Sequence, residues 1–265
     1  MIRLTLCVDL EENPPFISEF GLSLLLEYRK TTFLLDTGAG AALKENLALL
    51  KESGAYRNVI LTHGHYDHTG GLKDLLPGRI FCGKKVAQPH YSLHADGVIH
   101  PIAMPEESKA VLARSAVQFV EHFTQIAPGL FLTGPIPRIT KEDCGGNFFH
   151  DEACISERDL VEEELALLTE EGVLITGCCH AGLMNTILYC EKMCPGVSIR
   201  TVAGGLHLRN ATAERLEETA AFLRDREIKK LVLMHCTGEN AMQYLENALP
   251  ECRVLTMKTG ETLEL

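Results

Sequence analysis

The segment Val59–Gly71, VILTHGHYDHTGG, places His63, His65, Asp67 and His68 within six residues, directly after a run of β-branched and aliphatic side chains. Imidazole together with carboxylate suits Zn²⁺, and also Fe²⁺ or Mn²⁺, whereas a soft thiolate set is not indicated. From composition alone such a pattern arises in on the order of one chain in a thousand. Alternate residues His63 and His65 can turn their rings to one side of an extended loop, and Asp67 and His68 follow in the next bend. The spacing predicts two adjacent metal positions.

Three further apolar runs also end at a histidine: VLITGCCH at His180, IRTVAGGLH at His207 and LVLMHC at His235. In α/β sheets the carboxyl ends of the strands open onto one rim, where ligands collect. A structural histidine is the simpler reading of any one of them alone. For the set, convergence on one rim is expected.

The elements that would deliver these residues alternate along the chain. Apolar runs predict strands near 2–8, 22–28, 31–35, 58–62, 79–82, 117–122, 130–133, 163–168, 172–176, 197–203, 230–234 and 252–255. Helical spacing appears near 40–52, 106–114, 183–192, 212–225 and 239–248. In NATAERLEETAAFLRD, Leu216, Ala220 and Leu223 share a face, and Glu214, Glu217 and Glu218 load the first half as the helix dipole prefers. Mixing of this kind predicts a layered α/β architecture and one core for residues 1–265. The stretch from Gly83 to Glu107, rich in Pro, His and Gly, reads as an excursion from that core, either a lid over a site or a long surface loop.

A net charge of -11 and a pI near 5.5 argue against a nucleic-acid partner, because neutralising a phosphate backbone needs a basic surface. The start lacks the cationic and apolar regions of a secretory signal, and no apolar run approaches a bilayer-spanning length, so a soluble, cytoplasmic protein with no membrane partner is expected. Ten cysteines with no such signal are read as reduced thiols. Cys179 and Cys236 flank two strand-end histidines, and the ring beside each is the expected donor.

The pattern His63, His65, Asp67, His68 resembles the H-x-H-x-D-H signature of the metallo-β-lactamase superfamily. LLDTGAGAALKENLALL, LTGPIPR, VLITGCCHAGLMNTI, GGLHL and HCTG further resemble its branch named 7,8-dihydropterin-6-ylmethyl-4-(β-D-ribofuranosyl)aminobenzene-5'-phosphate synthase. The resemblance implies a four-layer αββα sandwich of mixed sheets with the metal site at the strand-end rim. It implies a first metal on His63, His65 and His180 and a second on Asp67, His68 and His235, two divalent ions with zinc first and iron or manganese as alternatives. Asp36, in LLDTG, matches an aspartate that accepts a ring N–H so that the other nitrogen faces the metal; the alternative is a simple turn-forming Asp before Thr-Gly. The chain departs from the pattern where most dinuclear members carry a bridging aspartate. His207 stands at that strand end, open to ligating a metal, donating to a substrate oxygen or merely packing nearby, and the second ion is expected to be held more weakly.

The implied activity is hydrolysis of a small anionic, phosphorylated substrate by a metal-bound hydroxide, with Asp67 and His207 as catalytic groups. Arg138, after a Gly-Pro turn, is a candidate anion binder by bidentate pairing, with Lys84 and Lys85 as weaker candidates; the alternative for Arg138 is a surface salt bridge. A pterin-related transferase and a non-enzymatic metal-holding binding protein are the alternatives. A site closed by protein atoms alone would favour the last.

Overall fold

The computed structural model describes residues 2–52, 56–142 and 146–265. The chain divides into two compact units, each assembled from separated segments: Met1–Phe119 with Gly146–Glu163 and Lys258–Leu265, and Val120–Gly145 with Glu164–Met257.

The first unit holds a seven-stranded mixed sheet in the order Thr262–Glu264, Ile2–Val8, Ser23–Tyr28, Thr31–Leu35, Asn58–Leu61, Arg79–Cys82, Val117–Phe119. Its first four strands pair antiparallel and its last four parallel. Parallel strands are covered on both faces, so they need continuous rather than alternating apolar character. Val59, Ile60 and Leu61 meet that demand and are fully buried. The helix Leu43–Leu49 turns Leu43, Asn46 and Leu47 inward. The buried amide of Asn46 is satisfied by donating to the carbonyls of Cys7 and Ile17 and accepting the Ile17 N–H, all within 2.8–2.9 Å.

The second unit carries another seven-stranded mixed sheet, ordered Arg253–Thr256, Lys230–Leu233, Thr201–Gly204, Val173–Thr176, Leu167–Thr169, Leu130–Leu132, Thr124–Ala127. The first four run parallel, joined by the helices Leu183–Met193, Ala213–Asp225 and Glu239–Ala248. Thr212 caps the second of these by accepting the Arg215 N–H at 3.2 Å. Its Ala220 and Leu223 are buried and Leu216 packs against the same core, which also takes in Leu183, Ile187, Leu231 and Leu245. Four parallel strands in sequence order bring four carboxyl ends to one edge, which gives the rim its position.

Several boundaries differ from the sequence expectation. The strand expected over 163–168 lies at Leu167–Thr169, because Glu163 and Glu164 are taken up by side-chain contacts described below. The excursion of 83–107 contains two short strands, Tyr91–Leu93 and Ile99–Pro101, which form a three-stranded sheet with Phe148–Phe149. No helix among the described residues is long and apolar enough to cross a membrane.

Candidate metal centre

In the first unit Thr31–Leu35 and Asn58–Leu61 are parallel neighbours, so the chain leaves the sheet at Asp36 and His63 on the same edge. The Asp36 backbone takes φ 57°, a left-handed conformation that costs a non-glycine residue of order 1 kcal/mol or more. Its carboxylate accepts the Thr62 N–H at 2.7 Å, the Thr62 hydroxyl at 2.7 Å and the Nδ1–H of His68 at 2.7 Å. The Thr62 hydroxyl has committed its single proton to Asp36, so toward His63 Nδ1, 2.9 Å away, it can only accept. Both imidazoles are thereby held as Nδ1–H tautomers, with the Nε2 lone pair turned away from the aspartate. That is how an imidazole is prepared to ligate a cation.

His63 Nε2 and His65 Nδ1 lie 3.1 Å apart. Two nitrogens on one tetrahedral ion, with bonds of about 2.0 Å, would be separated by about 3.3 Å. Asp67 brings a carboxylate oxygen to 3.5 Å from His68 Nε2. All four residues are buried. The donor set therefore fits a divalent transition metal in type, burial and spacing.

The loop between His63 and His65 is tied down from outside. Glu163 accepts the Gly64 N–H at 3.1 Å. A Cβ on Gly64 would stand 2.4 Å from the Val86 carbonyl oxygen and 2.7 Å from His90 Nε2, so no larger residue fits without displacement. Burial disfavours charge on His90, but hydrogen bonds to Asp159 and Glu163 outweigh it and push its pKa up to about 9.

In the second unit three adjacent parallel strands, Val173–Thr176, Thr201–Gly204 and Lys230–Leu233, are followed at one edge by His180, His207 and His235. The rings of His180 and His207 lie 4.4 Å apart. Cys179, His207 and His235 all take left-handed φ values, 62°, 48° and 54°, so the rim is built from tight, strained turns. Backbone clamps hold these turns. Glu164 accepts the N–H groups of His180 and Ala181, each at 2.7 Å, while Arg138 donates to the His180 carbonyl at 2.7 Å. Arg209 does the same for the His235 carbonyl at 3.2 Å.

Burial raises the Glu164 carboxyl to about 7 against the lowering effect of those N–H groups and of Arg138. Cys236 behaves oppositely. Burial would raise its thiol, but hydrogen bonding with Cys178 and the charges of His235 and His207 bring it down to about 5. The donor atoms of Cys178, Cys236 and His235 lie within 4.8 Å of one another, so sulfur stands nearer a candidate ligand than the sequence reading expected. Cys179, in contrast, is held as a thiol, chiefly by burial and also by Glu164, and its sulfur bonds Thr186 Oγ1 at 3.6 Å.

Of the residues read as anion binders, Arg138 contacts the His180 carbonyl, Lys85 pairs with Glu162 at 2.6 Å on the surface, and Lys84 is exposed. Thr62, His90, Glu163, Glu164 and Arg209 were not anticipated. The run VEEEL held a hint, because the sequence reading placed Glu163 and Glu164 at the start of a strand without giving them a role, and they are 3% and 2% exposed.

The family model described as Metallo-beta-lactamase superfamily matches residues 18–151, just over half of the chain. A protein named 7,8-dihydropterin-6-methyl-4-(beta-D-ribofuranosyl)-aminobenzene-5'-phosphate synthase, from Methanocaldococcus jannaschii, is 29% identical over 258 residues, 86% of this chain and 84% of its own. An uncharacterized protein of the same organism is 29% identical over 247 residues, 91% of this chain and 93% of its own. The crystal structure of Tm1679, a metal-dependent hydrolase of the beta-lactamase superfamily, is 28% identical, covers 100% of this chain and 99% of that chain, and has a TM-score of 0.88. The fold class is therefore the mixed α/β one of the metallo-beta-lactamase fold, with two mixed seven-stranded sheets and helices, as the sequence resemblance implies.

Proposed function

This chain belongs to the metallo-β-lactamase superfamily, and from that premise we propose that it is a hydrolase that uses two divalent ions, zinc in the first instance, to cleave a small anionic, phosphorylated ester. His63, His65 and His180 would hold one ion and Asp67, His68 and His235 the other. The observation that carries the reading is the tautomer control exerted by Asp36 and Thr62, which keeps a lone pair on Nε2 of both His63 and His68 and turns it away from the aspartate, as a metal ligand requires.

Bound divalent ions would supply two things: acidification of a water toward neutrality and polarisation of the oxygen under attack. The remaining work falls to the chain. His207, half-buried beside His180, is the proton donor to the departing oxygen or its hydrogen-bond partner. Asp67, a ligand and a carboxylate, orients the attacking solvent by accepting its hydrogen bond. Arg138, set beside the His180 backbone, and Lys84 supply positive charge for the anionic group.

Similarity to a named synthase supports a second reading, transfer from a pterin derivative with loss of an anionic leaving group. The two are separated by incubating metal-loaded protein with activated phosphoesters and thioesters in the absence of any acceptor. Turnover that is lost on chelation and in His180→Ala establishes hydrolysis. No turnover of any ester, with product appearing only when an aromatic amine acceptor is added, would replace it with the transferase.

A further inference from the structure

A second group of histidines and carboxylates in the first unit is left without a role by this reading. His90 and Asp159 are buried, whereas the His150 side chain is 40% exposed. His150 Nδ1 lies 2.9 Å from the Pro89 carbonyl oxygen, and a carbonyl only accepts, so Nδ1 carries the proton. The other nitrogen, Nε2, then carries the lone pair and faces Asp159 Oδ1 at 3.4 Å. That separation is close to the roughly 3.3 Å expected of two donors sharing a tetrahedral ion.

His90 repeats the arrangement from the opposite side. Its Nε2 stands 3.3 Å from a carboxylate oxygen of Glu163, and its Nδ1 meets Asp159 Oδ2 at 2.5 Å. Each ring thus has one nitrogen beside an oxygen outside the group: His150 Nδ1 donates to a carbonyl, and His90 Nε2 faces a Glu163 carboxylate oxygen at ion-pair distance without an aligned hydrogen bond. The other nitrogen of each points at the same aspartate. Outer acceptors of this kind orient metal-binding histidines. The donor atoms of His90, His150 and Asp159 all lie within 4.8 Å of one another.

Charge points the same way. Asp159 and Glu163 are two carboxylates buried around the His90 imidazole, and buried anions need a cation. A proton on His90 supplies one positive charge; a divalent ion displacing that proton supplies two. The exposed edge of His150 gives an ion a path from solvent.

We propose that His90, His150 and Asp159 form a divalent transition-metal site of the zinc class, additional to the ligand set assigned above and independent of whether that set works as a hydrolase. Binding breaks the His90–Asp159 hydrogen bond and makes three donor–metal bonds in its place, releasing the shared proton to solvent.

The test is Zn²⁺ alone, titrated against a chromophoric chelator into chelator-stripped full-length wild type and His150→Ala, with circular dichroism confirming that both are folded. The wild type is expected to bind one more equivalent than the variant, and His150→Asp, which restores an oxygen donor, to regain it. Anomalous scattering at the zinc edge from zinc-loaded crystals is expected to show a peak between the two rings. Equal stoichiometry in wild type and His150→Ala, or density there without an anomalous peak, would overturn the proposal.

Discussion

Asp36 accepts the Nδ1–H of His68 at 2.7 Å, and through the Thr62 hydroxyl the same carboxylate dictates the tautomer of His63. One side chain therefore governs two of the proposed ligands. Asp36→Asn keeps the shape but replaces an acceptor-only group with one that also donates, so one of its contacts must become donor against donor. Metal affinity should fall by about 10- to 100-fold, as for other residues that orient ligands. Competition with a chelator of known affinity measures it, and an unchanged affinity would show that the tautomers are set elsewhere.

Glu164 makes a comparable prediction for the second unit. Its two oxygens satisfy two buried N–H groups, those of His180 and Ala181. A glutamine offers one carbonyl oxygen and turns an NH₂ toward the remaining N–H. Glu164→Gln should cost about 1–3 kcal/mol in urea unfolding. Glu164→Ala should cost at least as much. If neither moves the midpoint, the two N–H groups have other acceptors.

His90 predicts a pH dependence in metal-free protein. Its folded pKa of about 9 lies above its ordinary value of 6.5, so the folded state binds the proton more tightly than the unfolded state. The stabilisation is complete below about pH 6.5 and is lost as pH rises through 9, with an upper bound of roughly 3 kcal/mol. Denaturation in chelator across pH 6 to 10 should show this loss in wild type and a flatter profile in His90→Gln. Parallel profiles would mean that the two carboxylates do not hold the ring charged.

Gly64 leaves no space for a side chain, with Val86 O and His90 Nε2 both within 2.7 Å of where a Cβ would sit. Gly64→Ala should lose about 1–3 kcal/mol of stability, the usual penalty for overpacking. It should also weaken metal retention, because the displaced loop carries His63 and His65. A variant with full metal content and an unaltered melting temperature would contradict the crowding.

Local patterns were readable and long-range ones were not. Glu106–Arg114 and Glu239–Ala248 end where their spacing ends, because both are amphipathic runs against a core. His63, His65, Asp67 and His68 were legible because six residues contain them all. Tyr91–Leu93 and Phe148–Phe149 were missed: strands of two or three residues carry no period, and their partners are far off in sequence. Glu163 and Glu164 were passed over for the reason that makes them useful. A buried carboxylate cannot be told from a solvated one until the N–H groups that need it are known. The contact of Arg138 with the His180 carbonyl was likewise illegible, because its partner lies 42 residues away in sequence.

The edge strand Thr262–Glu264 pairs with Arg3, Leu4 and Thr5. A ribosome makes Ile2–Val8 early and this partner only after the entire second unit has emerged, so in the nascent chain one side of a strand containing Leu4 and Leu6 waits bare. An unpaired strand edge is a template for other chains. Pairing with Thr262–Glu264 therefore moves the open edge of this sheet from the buried, apolar strand Ile2–Val8 to a short and largely exposed one.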